Sequence, residues 1–186
     1  GPGAKGWASG CSAEVTVEPP LRDVVVWRAF RIAGLYALLN ALIAIPLHLL
    51  IGAAGFGATG KWQPGFGASV VLAVLLAPII ETALYFWLPI VLVRKVLGYR
   101  PLTPFVTWLA CVGPFSFTHY GGSLGRSALT ALCTGLVGGS CFYFCFLTAE
   151  KEAGLNPFWT TALCHAIFNG TVLTAFGVAY ILGFVS

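Results

Sequence analysis

Apolar residues along this chain gather into five long runs, at about residues 24–56, 68–93, 105–120, 127–148 and 158–184. Short polar or Gly/Pro-rich connectors separate them, such as "GATGKWQPGFG", "RKVLGYRPLTP" and "AEKEAGLNP". Several runs reach the ~20 residues that carry a helix across a bilayer. The pattern therefore predicts an all-α fold, a polytopic bundle of about five membrane-spanning helices over residues 24–186. A polar tail over residues 1–23 precedes it. The first run opens amphipathically around Arg28 and Arg31 and holds Pro46, a kink that membrane helices tolerate. The fourth is rich in Gly and other small residues, which let helices approach closely.

Composition sharpens this reading. Of 186 residues, 58% are hydrophobic and only 9% charged, against about 25% charged in a soluble domain. Mean hydropathy is +0.89. The formal charge of +4 resides in short loops and forms no basic patch with interleaved aromatics, so no nucleic-acid partner is expected. The basic residues instead set topology. With the N-terminus in the cytoplasm, Lys5, Arg22, Arg28, Arg31, Arg94, Lys95, Arg100 and Lys151 fall inside, and Lys61 and Arg126 outside. Run three is short, and if it re-enters rather than crosses, the later orientations flip. Of six cysteines, all but Cys11 lie in or beside apolar runs, where thiols pack as small apolar groups, so no disulfide framework is expected. Cys141 and Cys145 share a helix face, but nothing nearby completes a metal site. "ASGC" before Ser12 looks like a lipoprotein cleavage site without the hydrophobic segment one needs. Residues 1–5, which begin Gly-Pro, read as a processing remnant.

Few ionisable side chains remain inside the apolar runs: Glu81 in "LLAPIIETALYFWLP", His48, His119 and His165, with Asn40 and Asn169 as the main amides beside them. A buried carboxylate is costly, and intramembrane ionisable groups mark functional sites or pair with one another. His165 and Asn169 lie four apart, hence on one helix face. Depths also compare. Glu81 is about 20 Å from Arg94 and His119 about 22 Å from Pro104, whereas His165 is only about 12 Å from Pro157. His48 reads as a packed or interfacial residue, and Asn40 as a cross-helix hydrogen bonder.

An "AP-x-x-E" context, then Phe115-x-x-x-His119, then His165-x-x-x-Asn169, in this order on successive helices, resembles the CPBP family. This family comprises CAAX prenyl endopeptidases and bacteriocin-processing or immunity (Abi) proteins. The likeness runs from Ala77 to Gly170. The family's first motif, Glu-Glu-x-x-x-Arg, reads here from Glu81 to Phe86, with Thr82 for the second Glu and Phe86 for the Arg. The resemblance implies a glutamate-dependent intramembrane endopeptidase with Glu81, His119, His165 and Asn169 as its catalytic set. It also implies a bacterial or archaeal plasma membrane and a peptide or protein substrate. That substrate is lipid-modified or carries a C-terminal sorting tag. Losing the second Glu and the Arg together removes an ion pair and leaves no orphan charge.

The chemistry expected of such a set is hydrolysis by water. A carboxylate stripped of water among Ile79, Ile80 and Leu84 is a stronger base. With His119 it would bind and deprotonate a water, while His165 and Asn169 would hold the oxyanion. No cofactor is required on this route. Zinc held by Glu81, His119 and His165 is the competing route. Ser116 and Cys164, next to the motifs, read as packing residues. Gly121-Gly122 could open the backbone to an extended substrate. Two other readings remain: an inactive scaffold or immunity-type protein of the same family, and a proton or small-solute transporter using Glu and His as a relay. No inverted repeat accompanies the latter.

Overall fold

A computed structural model of the chain describes residues 19–51, 71–120 and 131–181. The N-terminal tail with Cys11, the connector with Lys61, Gly121-Gly122, Arg126 and the side chain of His48 lie outside the described residues. The described residues form an all-α bundle of five helices: α1 (Pro19–Ile51), α2 (Leu72–Leu97), α3 (Thr103–Thr118), α4 (Ala131–Lys151) and α5 (Pro157–Ile181). Three stretches, Asp23–Leu47, Leu72–Leu97 and Ala131–Lys151, are long and apolar enough to cross a membrane. α3, at 16 residues, rises only about 24 Å.

The first helix buries its small residues and exposes its large ones. On α1 the inward stripe is Ala33, Ala37, Asn40, Ala41 and Ala44, while Leu35, Leu38, Leu42 and Ile43 point outward, each half exposed or more. A water-soluble helix would do the reverse. Small inward residues bring backbones together, which is how helices pack in an apolar solvent. α4 takes this furthest. A Cβ on Gly135 would sit 2.4 Å from the Cα of Ser116, and one on Gly139 would sit 3.0 Å from the Phe115 ring. α3 and α4 can cross this closely only because both positions are glycine.

α2 is built differently. Its buried residues are Pro78, Thr82, Phe86 and Ile90, one every four positions. Four residues overshoot an α turn by about 40°, so a pure α-helix would rotate this stripe off the core. Wider π-helical turns at Leu72–Leu76 and Thr82–Trp87, alternating with α segments, hold it in line.

Capping is local. Gly98, at φ 63°, ends α2, and the Thr103 hydroxyl donates to the Gly98 carbonyl (2.9 Å) to begin α3. Asn156 accepts from the Trp159 N–H (3.3 Å) ahead of Pro157 at the start of α5. Arg94 of α2 forks onto Glu150 of α4, with Nη2 donating to Oε2 at 2.7 Å. Polar cross-links are few: Tyr36 to Thr148 (2.8 Å), Trp108 Nε1 to Ser140 (3.1 Å) and the Tyr143 hydroxyl to the Pro104 carbonyl (2.9 Å).

Candidate functional site

The centre of the bundle is aromatic. Phe86, Phe115 and Phe142, from α2, α3 and α4, meet at centroid separations of 5.4 to 5.9 Å in tilted or edge-to-face pairs. Two histidines sit against this cluster. The His165 ring stacks on Phe142 at 4.2 Å, and the His119 ring lies over Phe115 at 4.5 Å.

Glu81 closes the α segment Ala77–Glu81, where α2 widens into its second π turn. Its Oε2 lies 3.5 Å from Nε2 of His165 on α5, with side-chain exposures of 27% and 5%. That is longer than an ordinary N–H···O bond of about 2.9 Å, but it brings two motif side chains from different helices together. A carboxylate can only accept, so Nε2 carries the hydrogen when Glu81 is ionised. Nδ1 of His165 is then a bare acceptor, buried and without a hydrogen-bond partner.

His119 follows the last residue of α3. Its Nδ1 is 2.8 Å from the Phe115 carbonyl, one of the acceptors a helix leaves open at its C-terminal end. A carbonyl cannot donate, so Nδ1 holds the hydrogen and Nε2 is the free lone pair. The four-residue spacing of Phe115 and His119 thus does three things. It supplies the carbonyl, seats the imidazole on a ring, and fixes its tautomer. His119 and His165 both lie against the Phe115 ring, at centroid separations of 4.5 and 6.0 Å.

Asn169, one helical turn beyond His165, has a backbone partner on α2. Its Nδ2 donates to the carbonyl of Ala73 at 2.8 Å. The cause lies in α2. The Ala77 N–H bonds to Leu72 in the π pattern, and the next donor in that pattern belongs to Pro78, which has no N–H. The Ala73 carbonyl is thereby orphaned in an apolar wall, and Asn169 supplies the missing donor from another helix. The Pro that precedes Glu81 by three positions creates the need that Asn169 meets.

Thr82 and Phe86, the departures from the family motif, are both fully buried. Phe86 belongs to the aromatic cluster, and Thr82 Oγ1 has no hydrogen-bond partner. A Glu and an Arg at these positions would need each other inside the bundle. Ser116 packs its backbone on Gly135, and Cys164 is fully enclosed, so both are packing residues. Cys111, Cys133, Cys141, Cys145 and Cys164 are free thiols. Among the described residues, no group of three or more His, Cys, Asp or Glu side chains is disposed to hold a metal ion. Phe142, the platform for His165, is the site residue that no motif announced. A groove of about 730 Å³ along α5 from Ile167 to Val178 is lined by that helix alone, on the face away from His165 and Asn169.

Comparison of the chain with protein-family models, with curated proteins and with solved structures gave no match in any of the three.

Proposed function

We propose that this chain is an integral, multi-pass membrane endopeptidase. It hydrolyses a peptide bond near the membrane surface in a small protein or a C-terminal tag. The observation that carries this reading is the meeting of Glu81 and His165 across α2 and α5, with His119 on the Phe115 ring that His165 also approaches. A carboxylate and an imidazole nitrogen that accept hydrogen bonds are the groups that can hold a water and take its proton.

In this mechanism Glu81, oriented by Nε2–H of His165, and Nε2 of His119 hold the water. Glu81 takes its proton as the oxygen attacks the scissile carbonyl. The oxyanion accepts from the second N–H of Asn169 and from Nε2–H of His165. The proton then passes from Glu81 to the departing amine as the C–N bond breaks. No Ser or Cys nucleophile is used, and no step needs a metal.

The placement that goes with this is a bacterial or archaeal plasma membrane with the N-terminus in the cytoplasm. The orientation alone draws support from the clustering of Arg28, Arg31, Arg94, Lys95, Arg100 and Lys151 towards one end of the bundle. The test is cleavage of membrane-anchored peptide libraries by the purified chain in liposomes, read by mass spectrometry. Cleavage lost in Glu81→Gln and in His119→Ala supports the protease. The enclosed Thr82 and Phe86 favour the scaffold reading instead, in which no peptide is cut and both variants keep the protein's cellular function.

A further inference from the structure

A second feature lies at the other end of the molecule. Arg28, Arg31, Leu35 and Leu38 follow one another at spacings of three, four and three on α1, which places them on one face. They line a groove of about 590 Å³, within the ~300–1,000 Å³ range of small-ligand sites. Gly34 lies in the groove, and a Cβ there would meet nothing within 4 Å, so its floor is open. Glu152, in the turn between α4 and α5, forms the opposite rim. That turn packs on α1 at Val25, which a Cβ on Gly154 would approach to 3.4 Å.

The charge in this groove is uncommitted. Arg94 spends its guanidinium on Glu150, whereas neither Arg28 nor Arg31 pairs with a carboxylate among the described residues. Two arginines against one glutamate leave the rim net positive. Beyond them, from Gly34 to Leu38, the same face is purely apolar and half exposed. Cationic head first and apolar track second is the complement of a single amphiphile. Guanidinium groups bind phosphate oxygens in a forked geometry, and basic residues at a membrane surface favour anionic lipid.

We infer that this α1 groove binds an anionic phospholipid, with Arg28 and Arg31 on the headgroup phosphate and an acyl chain lying over Gly34 between Leu35 and Leu38. The inference rests on the membrane placement proposed above but not on the protease chemistry. Its failure would leave Glu81 and the histidines untouched.

The test is native mass spectrometry of the full chain in detergent. It is offered phosphatidylglycerol and phosphatidylcholine of identical acyl chains. Phosphatidylglycerol should be retained preferentially, one per chain. The Arg28→Gln/Arg31→Gln double variant should lose that retention by about tenfold or more. Gly34→Leu, which fills the floor and keeps both charges, should lose it too. Should the double variant fail to fold, Gly34→Leu decides alone, because nothing obstructs its added side chain. Equal retention of the two lipids, or retention unchanged in Gly34→Leu, overturns the inference. So does displacement of the lipid by inorganic phosphate, which would mark a free-anion site.

Discussion

Glu81 and Asn169 act through the residues beside them. Glu81→Gln keeps the shape and removes the base. The expected outcome is loss of peptide cleavage by about 10²–10⁴-fold, with helix content by circular dichroism unchanged. Asn169 serves first as a substitute for the N–H that Pro78 lacks. Asn169→Ala should therefore cost about 1–3 kcal/mol, the penalty of an unsatisfied buried carbonyl. Pro78→Ala restores a backbone donor in the same turn, so Asn169→Ala should cost markedly less in that background. A double-mutant cycle on thermal unfolding in detergent measures the coupling, and two additive substitutions would refute it. Asn40 offers a contrast. Both its amide atoms are buried and unpartnered, against Gly138. Asn40→Leu, similar in volume and without polar atoms, should leave unfolding unchanged or raise its midpoint.

The helices were legible in the sequence because lipid-facing segments advertise themselves by length and apolarity. Their internal construction was not. The π turns of α2 leave no mark on hydropathy, although a buried residue at every fourth position hints at a period longer than an α turn. The Glu81–His165 contact also escaped. The estimated depths set His165 apart from Glu81 and His119, because a straight-helix rise ignores the wider turns of α2. Helix face set His165 and Asn169 side by side, but it said nothing of the partner that Asn169 meets on α2. Pro78 was in plain view, and its missing donor could have pointed to Asn169. At α4, Gly135→Ala forces a contact of 2.4 Å onto backbone and should destabilise by about 1–3 kcal/mol. Gly113→Ala, with open space around it, should be neutral or slightly stabilising in the same detergent melt.

For the whole molecule, the Arg94–Glu150 fork joins the C-terminal ends of α2 and α4, and the turn after α4 packs on the N-terminal part of α1. These segments lie at one end of the bundle, and the proposed topology puts that end in the cytoplasm. Cysteines introduced for Tyr99, which is 92% exposed, and for Glu152 should both react with an impermeant maleimide applied from the cytoplasmic side. Labelling from opposite sides would break the topology. An aromatic centre with few polar cross-links also means that stability rests on packing, which is why close-approach glycines outweigh most polar residues in these expectations.

The bond from Asn169 to Ala73 joins positions 96 residues apart, and this separation has a temporal meaning. α2 leaves the ribosome long before α5 exists. Until α5 arrives, the Ala73 carbonyl, in the wide turn that opens α2 ahead of the segment ending at Glu81, has no donor in an apolar environment. The opening turn of α2 is thus completed only once α5 packs on it. A chain stalled short of α5 would carry that turn unfinished, so the order of synthesis makes α2 wait on α5.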